Sequence, residues 1–382
     1  MTNRTNILFL GDFAPNEKQQ LLLHTNSTGL LDELVGERTF DHLAINLEAP
    51  ITKNVSATPK TGPALKLRPC IVDTLKASRI TIASLANNHI LDFGEAGVLD
   101  TIRELESQSI FCLGAGRALE EATRPIVLTD KAKNAMTVAI IAVAESEFNI
   151  ATKNSAGAAP LDVIDNARAI QDLNAEHDHV VVCVHGGVEH LAIPPLHLRK
   201  ACRFFVEQGA SAVICSHTHL PGCYERYQGA FISYGLGNLL MKPRPAKQNW
   251  NYGYAVAVSL GQQKGVTAEL LPYVMKPEEA RVEPMSDSDK SALFIELTRQ
   301  NQILEDENML REALTRFYSR KRRSHVSLFT PKFLRTLSRL PGGQDVLYRI
   351  FQSNITGKIN TIRNPSHREA LLANLRSLER YW

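Results

Sequence analysis

Eight short runs of β-branched and other apolar residues set the limits on how this chain can fold: "NILFLGD", "HLAINLE", "RITIASLAN", "TVAIIAVAE", "HVVVCVHGG", "SAVICSH", "AFISYGLGN" and "YAVAVSL". Runs with no polar side to turn toward water fit strands buried on both faces. Between them lie amphipathic helical patterns such as "FGEAGVLDTIRELESQ" and "PPLHLRKACRFFVEQG", the second opening on prolines and ending at Gly209. Strands that alternate with helices imply an α/β fold.

In such a fold ligands gather at the carboxyl ends of strands, where side chains leave the sheet and loops build a crevice. Here "ILFLGD" ends on Asp12, "LAINLE" on Glu48, and "TIASLANNH" on Asn87, Asn88 and His89. "VVVCVH" ends on His185, and "AVICSHTH" on His217 and His219. A single aspartate after a strand is ordinarily a turn or helix cap, and a single histidine there is ordinarily a hydrogen-bonded surface residue. Donors at five strand ends together point to one metal-binding edge. Imidazole nitrogens mixed with carboxylate oxygens suit zinc, manganese or iron, whereas calcium and magnesium prefer oxygen alone. The donors outnumber what one tetrahedral ion needs. Two divalent ions sharing a carboxylate would use them all, in an arrangement that serves displacement at phosphorus.

The sequence resembles the CapA family of capsule and poly-γ-glutamate biosynthesis proteins, within the calcineurin-like metallophosphoesterase superfamily. The matching pieces are "LGD" at 10 to 12, "NLE" at 46 to 48, "LANNHILD" at 85 to 92, "HGGVEH" at 185 to 190, "SHTHLPG" at 216 to 222 and "SYGLGNLL" at 233 to 240. The resemblance implies a four-layer α-β-β-α metallophosphoesterase-like sandwich with a C-terminal helical module, and a dimetal-dependent phosphoester hydrolase. It implies that Glu48 bridges the two ions, with Asp12 and His219 completing one site and Asn88, His185 and His217 the other. His89 would stand beside the substrate without binding metal, protonating the leaving oxygen or steadying the transferring group. Asp92 is placed either to orient His89 or to cap the helix that follows. Many superfamily members carry a histidine two residues after the first aspartate. Here that position is Ala14, so the first site is expected to be weaker or to rely on water.

Around this set, Glu189 fits an H-x-G-x-E pattern that is as readily a solvated charge. Asn238, with Gly235 and Gly237, either shapes a loop over the crevice or makes a tight turn. Lys66 and Arg68 grip an anionic substrate or are ordinary surface charge.

The 382 residues suffice for a large core and more than one domain. The N-terminal "MTNRTNILFLGDFAP" has too short an apolar run for a secretory leader. Nor is any uninterrupted apolar stretch long enough to span a bilayer, and a cytoplasmic protein is the expectation. The six cysteines include no C-x-x-C pair, which argues against a thiolate zinc cluster. Cys183 and Cys215, inside apolar runs, read as small hydrophobes.

From about residue 280 the pattern turns helical, with Leu293, Leu297 and Leu304 in register, and "NPSHREALLANLRSLERYW" closes the chain the same way. The expected division is a metallophosphoesterase domain over 1–280 and a helical, basic module over 281–382. No acidic residue lies between Ala313 and Gln344, and "RFYSRKRRSH" places five arginines and lysines in ten positions. Such a segment, mixed with Phe317, Phe329 and Phe333, suits an anionic surface, so peripheral contact with the inner membrane is expected. A helix packed on the main domain with its arginines in water is the alternative. Nucleic acid is disfavoured, because aromatic residues make up only 7% of the chain and no stacking module is present. The resemblance implies a phosphorylated sugar, lipid-linked or polymeric substrate from surface-polysaccharide synthesis. The rival reading is a non-catalytic metal-binding component of a polymer-synthesis complex, which Ala14 favours.

Overall fold

The computed structural model describes residues 4–25, 29–60, 62–130, 136–244, 249–262 and 265–320. The chain divides into two compact units, Met1–Arg311 and Glu312–Trp382. The C-terminal helix expected near residue 364 and the basic segment beyond residue 320 lie outside the described residues.

The chain runs through β1 (Arg4–Ala14), α1 (Glu17–Thr25), α2 (Asp32–Val35), β2 (His42–Leu47), α3 (Ile71–Ala77), β3 (Ile82–Ser84), α4 (Gly94–Ser107) and β4 (Phe111–Leu113). Next come β5 (Ala115–Gly116), α5 (Leu119–Ala122), β6 (Ile126–Asp130), β7 (Met136–Ala144), β8 (Gly157–Ala158), α6 (Val163–Glu176), β9 (His179–His185), α7 (Leu196–Glu207) and β10 (Ala212–Ser216). It continues with β11 (Tyr224–Tyr227), β12 (Ala230–Ser233), β13 (Asn238–Met241), β14 (Tyr252–Gly261), β15 (Val266–Lys276), β16 (Arg281–Pro284), α8 (Asp287–Glu305) and α9 (Glu307–Arg320).

Two sheets carry the fold. One has the order β16-β15-β14-β1-β2-β3-β4 with β13 also paired to β1; the other has the order β11-β12-β10-β9-β7-β6. Helices cover the outer faces: α2 packs on β16 and α4 on β4, while α6 packs on β9 and α7 on β10 and β12. The inner faces meet. Phe9, Ala44 and Ile82 of the first sheet line one cavity with Cys183, His185 and Ile214 of the second. The result is the expected four-layer α-β-β-α sandwich.

The strand sequences explain this layering. Along β9, Val181, Cys183 and His185 alternate with Val180, Val182 and Val184, so one set enters the sandwich and the other faces the helices. Both sets are apolar because both faces are covered, and each valine buried this way contributes roughly 1.5–3 kcal/mol. β1 runs parallel to β2, and β9 to β10, and the carboxyl ends of these strands carry the polar residues. The helical pattern after residue 285 is in two pieces. Ser286 caps α8 through its side chain, whereas Asp306 is extended and its Oδ1 accepts from the amides of Asn308 (2.7 Å) and Met309 (3.2 Å), starting α9 afresh.

Candidate metal centre

Asp12 reaches the site because β1 lies unusually close to its neighbour there. The Asp12 amide donates to the carbonyl of Gly237 (3.0 Å), and a Cβ on Gly11 would lie 1.9 Å from that oxygen. Only glycine fits at 11. The pairing of β1 with β2 slips between Leu10 and Asp12, which re-aims the aspartate at the strand end. On the second sheet, His217 and His219 follow β10 with positive φ angles of 102° and 58°. Non-glycine residues rarely adopt such angles, and holding two of them turns both imidazoles back over the sheet edge.

Two clusters result, and they share one carboxylate. Asp12, Glu48 and His219 form the first, and Glu48, His185 and His217 the second; in each, the donor atoms lie within 4.8 Å of one another. His219 Nδ1 is 3.1 Å from Asp12 Oδ2 and 3.8 Å from Glu48 Oε2. His185 Nε2 is 3.5 Å from Glu48 Oε1, 3.0 Å from His217 Nδ1 and 3.1 Å from Asn88 Oδ1. Asn46 ties the clusters together: its Nδ2 donates to Asp12 Oδ1 (2.7 Å) and lies 3.1 Å from His185 Nδ1.

The electrostatics suit a cation. Glu48 is fully buried, and neither of its carboxylate oxygens meets a hydrogen-bond partner. Burial pushes its carboxyl well above the usual range, the charge of His219 only partly offsetting this. Burial, and the neighbouring imidazoles, push His185 well below its ordinary value and lower His217, so both favour the neutral form that binds metal. Burial would lower His219 as well, but the Glu48 charge and the Asp12 hydrogen bond override it and hold the imidazole up at about 9. The buried Glu48 carboxyl is thus costly to charge without a cation beside it, and the cluster draws positive charge toward it, as the raised His219 shows. A divalent ion fits these donors, and imidazole with carboxylate favours a borderline metal.

His89 stands at the rim with its side chain 11% exposed. Its Nδ1 is 2.7 Å from Asp92 Oδ2 and 3.1 Å from Lys60 Nζ, and Lys60 pairs with the other Asp92 oxygen. Asp92 also accepts from the amide of Leu65 (2.7 Å), while the following helix is capped at Phe93 with no side-chain bond. Asp92 therefore faces His89 rather than capping α4. Lys66 donates to the Asn54 carbonyl (2.9 Å) over the Phe93 ring, and Arg68 faces Glu17 at the surface. Glu189 is half exposed and 3.6 Å from His190.

A model of the family described as bacterial capsule synthesis protein PGA_cap matches residues 6–243, a span that holds every residue of both clusters. The chain belongs to that family. It is 31% identical over 207 residues to the PGA biosynthesis protein CapA of Bacillus subtilis (strain 168), covering 53% of this chain and 54% of the relative. It is 26% identical over 271 residues to the capsule biosynthesis protein CapA of Bacillus anthracis, covering 68% of this chain and 64% of the relative. The chain therefore spans between about half and two thirds of these relatives' length. Among solved structures, a phosphatase from Mycoplasma pneumoniae superposes with a TM-score of 0.48 at 13% identity, over 73% of this chain and 97% of that one.

Several residues of this PGA_cap member lie at the centre without having stood out in its sequence. Asn46, on β2, precedes Glu48 by two, and Glu48 directly follows the strand's last residue, so the alternation of an extended chain points both to one side. Glu147 reaches His217 Nε2 (3.9 Å) and accepts from Asn88 Nδ2 (3.4 Å) out of a loop with no recognisable motif. Lys60 comes from a loop 29 residues before His89. Trp250, buried with its ring centroid 5.3 Å from that of His219, lies past the end of the family match, and Arg244 lies over its face.

Proposed function

We propose that this chain is a two-metal phosphoester hydrolase of capsule or other surface-polymer synthesis, acting on a phosphorylated sugar, lipid-linked or polymeric intermediate. The observation that carries this reading is Glu48, a wholly buried carboxylate with both oxygens unbonded, one turned to His185 and the other to His219. Such a group is costly in a folded protein unless a cation lies against it. Asp12, Glu48 and His219 would hold one divalent ion, and Glu48, Asn88, His185 and His217 the other. When bound, a pair of such ions supplies Lewis-acid activation of water and of a phosphoryl oxygen. The capsule setting is drawn from the family and from relatives named for PGA and capsule biosynthesis.

The chain's own residues supply the rest. Asp92 takes the Nδ1 proton of His89 in a hydrogen bond and fixes the ring, which leaves Nε2 to pass a proton to the leaving oxygen. Lys60 pairs with the other Asp92 oxygen while lying 3.1 Å from His89 Nδ1, so it fixes the carboxylate beside the ring. Burial of Glu48, His185 and Asp12 keeps bulk water off the inner wall, where a fixed charge acts more strongly.

The test is an assay of manganese-loaded protein on generic phosphate mono- and diesters. Metal-dependent turnover is expected, and His89→Ala should lower it by about a hundredfold or more while retaining its metal. Glu48→Gln should lose metal and turnover together. If fully loaded wild type hydrolyses no ester, the enzymatic reading fails. The second reading then stands, a metal-stabilised component of a polymer-synthesis assembly, which the alanine at position 14 favours.

A further inference from the structure

We propose that Asn238 is a metal ligand, its Oδ1 completing the ion site of Asp12, Glu48 and His219 in place of the histidine that position 14 lacks. The inference rests on the two-ion reading and adds to it a residue with no assigned role.

Topology puts Asn238 where a ligand is wanted. It opens β13, which pairs in parallel with β1 so that Asn238 stands directly opposite Asp12. It is completely buried. The orientation of its amide is fixed, because Nδ2 lies against two backbone carbonyls, that of Trp250 at 3.0 Å and that of His219 at 3.3 Å. Carbonyl oxygens accept and do not donate, so the amide cannot be turned round without setting oxygen against oxygen. Oδ1 is thereby aimed at His219 Nδ1, 3.0 Å away.

Around that nitrogen the oxygens exceed what one proton can satisfy. Asn238 Oδ1, Asp12 Oδ2 and Glu48 Oε2 all lie within 3.8 Å of His219 Nδ1, which carries at most one hydrogen. Asp12 Oδ2 also accepts from the His217 amide (3.3 Å) and Asp12 Oδ1 from Asn46, which leaves Glu48 Oε2 as the buried oxygen with no hydrogen-bond partner. A cation among these atoms would meet four protein donors, three oxygens and one imidazole nitrogen. The second cluster has an imidazole where the first has the aspartate: the shared Glu48, an asparagine oxygen from Asn88, and His185 with His217. Each ion would therefore have its own asparagine, on either side of one glutamate. The gap left by Ala14 is filled from a different strand.

Metal binding is the readout. Chelator-stripped full-length protein is titrated with Mn2+ by calorimetry, with free Mn2+ followed by its paramagnetic resonance signal. Wild type, Asn238→Ala, Asn238→Ser and Asn88→Ala are compared, and thermal unfolding without metal confirms that each variant is folded. Wild type should bind two ions per chain. Asn238→Ala should keep one at wild-type affinity and weaken the other at least tenfold. Asn88→Ala should weaken the opposite ion, and Asn238→Ser, whose hydroxyl can still donate to a carbonyl but is too short to reach the ion, should weaken the first at least tenfold. Two wild-type affinities in folded Asn238→Ala overturn the assignment. So do two wild-type affinities in Asn238→Ser, should the alanine variant not fold. If wild type itself binds fewer than two ions, the two-ion reading falls, a result distinct from either.

Discussion

Lys60 and Asp92 show how much a single side chain can hold at this site. Their side chains are 6% and 1% exposed, and the carboxylate they share with His89 also receives the Leu65 amide. Removing one partner of a buried ion pair leaves the other uncompensated, at a cost of about 3–5 kcal/mol, whereas replacing both by apolar groups costs less. Asp92→Leu should therefore destabilise the metal-free protein more than the double change Lys60→Met with Asp92→Leu. Urea unfolding of the four members of this cycle measures the coupling, and strictly additive effects would show that no such pair exists. The sequence made Asp92 legible because it follows His89 by three residues in a recognisable motif. Lys60 was invisible, since a loop side chain has no periodicity and its partners come from tertiary packing alone. Asn238 was visible only as a loop residue, because its ligand-like aim depends on the carbonyls of His219 and Trp250, which only the fold brings to it.

At the scale of elements, the end of β1 is the tightest joint. A methyl group at Gly11 meets the Gly237 backbone, which cannot swing aside like a side chain, and would pry apart the strands that bear Asp12 and Asn238. Gly11→Ala is expected to lower stability by about 2 kcal/mol or more and to weaken the Asp12-side ion before the other, as read by denaturant unfolding and Mn2+ titration. Wild-type behaviour in both would mean that the close approach is unimportant. A second joint is polar: Glu145, just past β7, accepts from the Gly187 amide (3.0 Å) and pairs with His197 of α7 (2.7 Å). The hydrogen bond to Glu145 raises His197 above its ordinary 6.5, against the effect of burial. Burial alone would raise Glu145, but the His197 and Gly187 bonds lower it below 4.5. The His197 contribution is complete below its unfolded value and lost as pH climbs through the raised one. The Glu145 contribution is complete above its unfolded value and lost as pH falls through the lowered one. Wild type should then exceed His197→Gln in stability most between 4.5 and 6.5, the window set by those two ordinary values, and the gap should close toward alkaline pH. Both side chains are partly solvated, so the gap should stay under about 1 kcal/mol. A difference flat across pH would rule the pair out. The buried parallel strands were legible because both of their faces are apolar. β15 escaped notice because its first half alternates half-buried with exposed residues and Pro272 interrupts its second, and β4 because it is three residues long with Phe111 half exposed.

For the whole molecule, charge distribution matters more than net charge. The chain carries 43 lysines and arginines against 40 acidic residues, but residues 313 to 344 hold eight of the basic ones and none of the acidic ones. The remainder is therefore acidic, 35 against 40, and the buried centre adds to that side with Asp12 and Glu48. An anionic substrate approaching the acidic part would be repelled unless divalent ions reverse the local sign, whereas the basic segment would attract anionic surfaces without them. Each lysine or arginine near an anionic lipid surface contributes roughly 1 kcal/mol, so eight would suffice for reversible attachment, reinforced by interspersed phenylalanines and leucines. Among the described residues no helix is long and apolar enough to cross a membrane. The full chain should float with vesicles rich in phosphatidylserine at low salt and release them near ~0.5 M salt, where screening is short-ranged. A chain ended after residue 312 should stay at the bottom of the gradient with its Mn2+ capacity intact, because both metal clusters lie within the compact unit that ends at Arg311. Equal flotation of the two chains would remove the segment from any role in attachment, and salt-insensitive flotation would show that apolar insertion, not charge, does the holding.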